Sequence, residues 1–279
     1  MNLPAYDSKE QDVVDYLLPN GARVNITQDS KSADSTGRTI WLGAQVLAVY
    51  LHDLLKSSSP LASSSRGTRT RQRIVDVGAG TGLSSLSLAG MGYDVLSTDL
   101  DVIVNGNLGV NIRANEPTLQ INGSNQPRLE TKVLDWFQDP AEWNWSTIDG
   151  QDAQTLVPPF DLVVSADTVY TPDLSQPLLR SLRALSAPAS SSRSSTSTQV
   201  YIVLERRDPE LVTNFLESAE RDWGFKCSRV DHSKLKRLVE SKEGGLGWED
   251  ESVWEGVEIW KLKARKVVAK KGKSSATPE

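Results

Sequence analysis

The sequence predicts an α/β fold in which a mostly parallel sheet carries helices on both faces and one strand near the C-terminus runs antiparallel. Three observations predict it. Short apolar segments alternate with amphipathic helical patterns between residues 73 and 222, as in parallel sheets. A β-branched strand at residues 73–77 runs into a glycine-rich turn. The last two strand-like segments, 225–230 and 257–262, have no evident crossover helix between them.

Length and composition limit the class of protein. The chain has 279 residues, 38% of them hydrophobic, which is enough for one large α/β domain. A net charge of −5 gives no general attraction to nucleic acid or to a membrane surface. The single cysteine, Cys227, excludes an internal disulfide framework and indicates a reducing compartment. There is no evident signal peptide and no apolar run approaching the ~18 residues of a membrane span. We therefore expect a soluble intracellular protein.

The periodicity of apolar residues predicts the elements in order. A short strand is expected at 23–27, residues 39–41 are expected to end another, and the first helix is expected over 42–56. Further strands are expected near 73–77, 94–98, 131–134, 161–165 and 199–204. Further helices are expected near 83–91, 101–114, 173–185 and 209–222. Serine-rich or polar stretches at 57–71, 139–159 and 186–198 predict loops. The resulting division is an N-terminal extension (1–40), a main domain (41–265) and a basic, flexible tail (266–279).

The glycine-rich turn carries the first functional signal. Asp76 lies near the end of the strand, and Gly78, Gly80 and Gly82 follow at alternate positions. A dinucleotide-binding turn requires G-x-G-x-x-G, but Leu83 stands where its third glycine would be. An acid two residues before G-x-G-x-G is the pattern of turns that bind S-adenosylmethionine (SAM) in seven-strand methyltransferases. A purely structural strand–turn–helix is the alternative.

The second strand also ends in an acid, Asp99. It lies roughly 20 residues beyond the turn, where a carboxylate can accept both hydroxyls of a ribose. Two alternatives are that Asp99 only caps the following helix and that Asp101 binds the ribose. We expect Asp99 to bind the ribose because it comes directly off the strand.

Ligands of open parallel sheets lie beyond the carboxyl ends of the strands, and three further candidates fall there. Trp136 follows the third strand, where an indole can stack on adenine, and Trp41 stands just before the first helix. Core packing is the alternative for both. The fourth strand ends in a D-x-x-Y motif of Asp167 and Tyr170. Enzymes that methylate the amino group of adenine or glutamine usually have Asn/Asp-Pro-Pro-Tyr here. The two prolines at 157–160 precede the strand, and we interpret them as a loop at its other end.

From residue 41 to residue 263 the sequence resembles the non-SET, seven-strand protein-lysine methyltransferases, methyltransferase family 16. The resemblance rests on segments 40–47, 75–82, 98–100, 134–136 and 166–170. It departs at Leu42 and Gly43, where the family more usually has a polar or proline pair, and in the long serine-rich loops. It implies a Rossmann-like, seven-stranded, SAM-dependent methyltransferase fold.

The resemblance also implies a site and a reaction. Cofactor contacts are expected at Trp41, Asp76, Gly78, Ala79, Gly80, Asp99, Trp136 and Ala166. Asp167 and Tyr170 match the residues that line the lysine channel and are the expected catalytic pair. The implied reaction is methyl transfer from SAM to a lysine side chain of a protein substrate. No metal is expected, because the sulfonium is already an activated donor and the two histidines and one cysteine form no ligand cluster.

The sequence leaves three alternatives to a protein-lysine methyltransferase. One is a methyltransferase of the same fold that acts on a small molecule or a nucleic acid. The negative net charge and the absence of Asn-Pro-Pro-Tyr count against a nucleic-acid substrate. Another is a non-catalytic SAM-fold binding module. A nicotinamide dehydrogenase is disfavoured by Leu83. We expect a monomer without a membrane partner, located in the cytoplasm, the nucleus or both.

Overall fold

The computed structural model describes residues 2–31, 36–58, 71–121, 126–145, 156–186 and 198–265. Outside the described residues lie most of the expected loops at 57–71 and 186–198, residues 146–155 of the expected loop at 139–159, and the basic tail. None of the described helices has both the length and the apolar character needed to cross a membrane.

The strands form a small hairpin and one large sheet. The hairpin pairs β1 (Val13–Leu17) with β2 (Arg23–Thr27). The large sheet contains β3 (Arg73–Val77), β4 (Asp94–Asp99), β5 (Leu129–Val133), β6 (Leu162–Ala166), β7 (Gln199–Glu205), β8 (Phe225–Arg229) and β9 (Val257–Ala264). Its order is β5-β4-β3-β6-β7-β9-β8. Strand β9 runs antiparallel to both of its neighbours in this sheet, β7 and β8. The predicted α/β, Rossmann-like sheet with an antiparallel strand near the C-terminus is confirmed.

Helices cover both faces of this sheet. They are α1 (Ala5–Ser8), α2 (Leu42–Leu55), α3 (Leu83–Gly90), α4 (Asp101–Ile103), α5 (Gly109–Leu119), α6 (Pro172–Leu185), α7 (Pro209–Arg221) and α8 (His232–Glu240). Residues of α2, α3, α5 and α8 share one core, and residues of α6 and α7 share the other. The strands contribute side chains to both cores, because successive side chains along a strand point to opposite faces of the sheet. Thus Ile74 belongs to the first core, and Val75 and Val77 belong to the second.

Several elements differ from the sequence prediction. The helix expected over 101–114 is divided into α4, a π-helical turn at Val104–Leu108 and α5, with Gly106 in a non-helical conformation. Glycine tolerates such a conformation at little steric cost. Residues 39–41 form no strand; Trp41 is the extended N-cap of α2. The region between β8 and β9 was expected to lack a helix, but it contains α8, which buries Leu235 and Val239.

The N-terminal hairpin packs onto α5 through two asparagines. The Asn111 side chain accepts a hydrogen bond from the Thr27 amide (2.8 Å) and donates to the Thr27 carbonyl (3.1 Å). Asn115 makes the same pair of contacts with the backbone of Asn25, at 3.0 and 2.9 Å. These side chains satisfy the backbone groups along the edge of β2. Tyr16, Val24 and Ile26 of the hairpin belong to the same core as α2 and α3.

Candidate active site

A cavity of about 630 Å³ opens at the carboxyl ends of the parallel strands. This position is where the chain order reverses between β3 and β6, the usual ligand site of such sheets. Every site residue expected from the sequence lines it: Trp41, Asp76, Gly78, Ala79, Gly80, Asp99, Trp136, Ala166, Asp167 and Tyr170. Trp41 and Trp136 are both half-buried and line the cavity, and Trp136 also packs against the second core.

The glycine turn forms one wall of the cavity. Gly78, Gly80 and Gly82 all adopt left-handed backbone conformations, with φ of 72°, 55° and 85°. A Cβ atom on Gly78 would also lie 2.6 Å from Cγ2 of Thr168 and 2.9 Å from Cζ2 of Trp136. The first glycine is therefore required both by its φ angle and by the close approach of its neighbours.

Asp99 is tied to this turn. One carboxylate oxygen accepts a hydrogen bond from the Gly80 amide and the other from the Leu100 amide, both at 2.8 Å. Burial raises the pKa of Asp99, and these two amides oppose the rise. Asp99 does not cap α4, whose N-cap is Leu100. Asp101 bonds to Asn105 and is not among the described lining residues. The geometry favours Asp99 over Asp101 as the partner of a bound ligand.

Asp76 lies behind the turn and is almost completely buried. Its carboxylate accepts a hydrogen bond of 2.7 Å from the Ser85 hydroxyl of α3. Burial raises the pKa of Asp76 to about 7; the Ser85 hydrogen bond counteracts this rise, and repulsion by Asp99 adds to it. Asp76 thus connects β3 to α3 at the base of the cavity.

The loop after β5 brings apolar surface to the opposite wall. Trp136 lines the cavity, and its buried indole nitrogen has no hydrogen-bond partner. Arg180 of α6 holds this loop by donating to the carbonyls of Trp136 and Phe137, each at 2.8 Å. Phe137 and Leu100 also line the cavity and are exposed. A planar aromatic base fits between such side chains.

Asp167 occupies the wall between α2 and β6. It has a left-handed backbone (φ 57°), which aspartate tolerates better than most residues. Its carboxylate accepts a hydrogen bond of 3.1 Å from the Ala44 amide in the first turn of α2. A Cβ on Gly43 would lie 2.6 Å from both carboxylate oxygens. The glycine at which the sequence departs from the family pattern therefore makes room for Asp167.

The ionisation of Asp167 reflects competing influences. Burial raises its pKa to about 7, and the negative charge of Glu205 adds to the rise. The backbone amides of Ala44 and Gly43 and the positive charge of Arg207 lower it. Because the N-terminus of a helix stabilises an anion, the first turn of α2 favours the ionised form of this carboxylate.

Sequence reasoning missed a cluster beside Asp167. Glu205 ends β7 and lines the cavity with Arg207. The Tyr6 hydroxyl donates to both Glu205 oxygens, at 2.6 and 2.7 Å, and accepts from Arg207 at 2.8 Å. The Arg207 guanidinium lies 5.1 Å from the centre of the Trp41 ring. Glu205 was detectable as another acid at a strand end, but no local pattern connects Tyr6 to it.

Comparison with known proteins identifies the family. A family model described as lysine methyltransferase matches residues 20–222 of the chain. The chain belongs to this lysine methyltransferase family. It is a SAM-dependent methyltransferase, and the resemblance found in the sequence is confirmed. The match begins after Tyr6 and extends one residue beyond α7.

Individual relatives are distant. Protein N-lysine methyltransferase METTL21A of Mus musculus is 28% identical over 214 residues, which cover 76% of this chain and 79% of that protein. Protein-lysine N-methyltransferase EEF2KMT of Homo sapiens is 26% identical over 202 residues, covering 70% of this chain and 54% of that protein. The chain thus spans about half the length of EEF2KMT. A crystal structure of magnesium protoporphyrin IX methyltransferase from Synechocystis PCC 6803 with bound SAM aligns with a TM-score of 0.43 at 16% identity, covering 80% of each chain.

The cavity walls fit this cofactor. Asp99 presents a carboxylate to the cavity that could accept the hydroxyls of a ribose, and the glycine turn lets a ligand approach the backbone closely. The Trp136 ring, which lines the cavity, and the exposed apolar side chains of Phe137 and Leu100 suit a purine. These features occupy adjoining walls of one cavity.

Proposed function

We propose that this protein methylates the side-chain amine of lysine in a protein substrate. The observation that carries the proposal is the position of Asp167, a carboxylate at the carboxyl end of β6 that lines the same cavity as the cofactor walls. The names of METTL21A and EEF2KMT as protein-lysine methyltransferases support it.

The charge of the cavity agrees with a cationic acceptor. Its acidic lining residues are Asp76, Asp99, Asp135, Asp167, Glu205 and Asp208. Arg207 is the one basic side chain among the described lining residues. Such a surface attracts an ammonium group and repels the phosphates of a nucleic acid. This balance favours lysine over a nucleic-acid acceptor.

The cofactor roles proposed for the site residues follow from where they lie. Asp99 accepts the ribose hydroxyls, and Trp136 packs on the adenine. Asp76 and residues 78–80 form the turn against which the amino-acid part of SAM lies. Trp41 and Ala166 bound the end of the cavity from which the methyl group leaves. SAM supplies a methyl group that its sulfonium already activates, so the chain has to bind and orient rather than activate the donor.

The acceptor must lose a proton before it can attack, since the usual pKa of lysine is about 10.4. Asp167 binds and aims the ammonium, but a carboxylate alone raises the lysine pKa. Removal from water between Tyr170 and Trp41 lowers that pKa, because burial disfavours the charged amine. The proton then leaves to water. Most of the rate enhancement comes from holding donor and amine in line.

The test is transfer of radiolabelled methyl groups from SAM into a cell lysate by the pure protein, followed by mass spectrometry of the labelled band. Wild type should label protein on lysine. Asp167→Asn should abolish labelling and leave SAM affinity within a few-fold, whereas Asp101→Asn, an exposed acid outside the cavity lining, should behave as wild type. Label found only in nucleic acid or small molecules would contradict the proposal. Loss of SAM binding in Asp167→Asn would make Asp167 a cofactor residue.

A further inference from the structure

Two carboxylates from neighbouring strands line the acceptor side of the cavity. Asp167 follows β6 and Glu205 ends β7, which pairs with β6 in parallel. The Asp167 amide donates to the Val203 carbonyl at 2.9 Å, two residues before Glu205. The two side chains are close enough for the charge of Glu205 to raise the pKa of Asp167. A cation bound near both would relieve their repulsion.

Asp167 is already engaged by the protein. Its carboxylate accepts from the Ala44 amide and fills the space above the Cα of Gly43. Glu205 receives hydrogen bonds from one tyrosine hydroxyl and one guanidinium. A carboxylate has about four lone-pair sites. Glu205 therefore retains capacity to accept a further hydrogen bond from a ligand.

The segment that carries Tyr6 is fixed in place although Tyr6 itself is exposed. The Asn2 side chain exchanges two hydrogen bonds with the Leu17 backbone, at 2.7 and 2.8 Å. The Gln45 side chain donates to the Leu3 carbonyl at 2.8 Å, and the Trp248 indole donates to the Asn2 carbonyl at 3.0 Å. These contacts join the segment to β1, to α2 and to the region after α8. Tyr6 is thus a preorganised partner of Glu205 rather than part of a free end.

Arg207 completes the arrangement. Its guanidinium pairs with Glu205 and lies over the rings of Trp41 and Tyr6, at 5.1 and 5.7 Å. Contact with the two aromatic faces stabilises it in this position. Its pairing with Glu205 offsets part of the repulsion that the positive charge of Arg207 would exert on a cation entering the cavity. Together with Tyr6, Arg207 holds the Glu205 carboxylate by hydrogen bonds.

We propose that Glu205, positioned by Tyr6 and Arg207, is a second carboxylate that binds the ammonium of the acceptor alongside Asp167. This inference rests on the proposed lysine acceptor. Glu205 would contact the substrate directly. Tyr6, which precedes the part matched by the family model, would be a positioning residue.

The test uses two SAM analogues in which nitrogen replaces the sulfur and carries an arm as long as a lysine side chain. One arm ends in an amine and the other in a methyl group. Calorimetric titration of each gives the preference of the protein for the charged arm. Wild type should prefer the amine. Glu205→Gln should reduce this preference about 10-fold, and Tyr6→Phe about threefold. Glu205→Asp, which retains the charge, should keep part of it.

The ratio of the two affinities separates a specific role from a structural one, because a general disturbance weakens both analogues alike. Tyr93→Phe is the matched control, since the Tyr93 hydroxyl bonds to the Leu55 carbonyl and Ser58 away from the cavity. An unchanged ratio in Glu205→Gln, or no preference for the amine in wild type, would overturn the inference. The titration needs no turnover, so the lysate assay can fail or succeed independently of it.

Discussion

Replacement of Gly43 by alanine tests whether α2 and Asp167 form one unit. The new Cβ would lie 2.6 Å from both carboxylate oxygens of Asp167, whereas ordinary contact begins at 3.4 Å. The carboxylate or the helix must therefore retreat by roughly 0.8 Å, the difference between these distances. The 3.1 Å hydrogen bond from the Ala44 amide to Asp167 would be lost or weakened.

The expected cost follows from these contacts. A hydrogen bond to a charged group contributes about 1.5–3 kcal/mol. The higher helix propensity of alanine offsets this by up to ~1 kcal/mol. We expect Gly43→Ala to lower stability by about 1–2 kcal/mol, which corresponds to a fall in Tm of roughly 4 °C. Turnover should fall by about 100-fold, because a misplacement near 1 Å costs that much, and SAM affinity should change only a few-fold.

The assay is thermal unfolding of Gly43→Ala in two backgrounds, wild type and Asp167→Ala, together with methyl transfer by the single variant. Removing the Asp167 carboxylate removes the clash. In that background, Gly43→Ala should be neutral or stabilising by up to ~1 kcal/mol. An equal loss of stability in both backgrounds would refute the reasoning, since the cost would not come from contact between Gly43 and Asp167.

Two further predictions concern the cofactor side of the cavity. Asp99→Asn should weaken SAM binding by ~10–100-fold in calorimetry, because a charge-assisted contact worth about 1.5–3 kcal/mol is lost. Asp101→Asn should leave SAM affinity unchanged. If both variants weakened SAM binding equally, Asp99 would not be the specific ribose contact. Burial raises the pKa of Asp76 from 3.8 to about 7 in the folded protein. The stability associated with this raised pKa is present at low pH and is lost as pH rises through about 7. In the SAM-free protein, Asp76→Asn should therefore have a higher Tm than wild type at pH 8, and the difference in Tm should be smaller at pH 5.5. The same difference in Tm at both pH values would contradict the raised pKa of Asp76.

Local pattern was sufficient where a single segment decides the structure. Strand β3 was predicted at its observed bounds because β-branched residues precede a glycine-rich turn. The same turn, with Asp76 before it and Asp99 at the end of the next strand, indicated SAM because side chains at neighbouring strand ends lie close together. Prediction failed at α4 and α5, where Gly106 interrupts a helical pattern. It also failed at α8, whose nine residues bury only Leu235 and Val239.

The sequence by itself determined the class of fold, the cofactor turn and the D-x-x-Y motif, since each depends on residues close together in the chain. Only the tertiary structure decided how these features act together. It placed the Asp167 side chain against the first turn of α2, and this contact explains why residue 43 is glycine. It also brought Tyr6 to Glu205, 199 residues away in sequence. Such contacts depend on how whole elements pack against one another, and the periodicity or spacing of residues within one segment does not encode them.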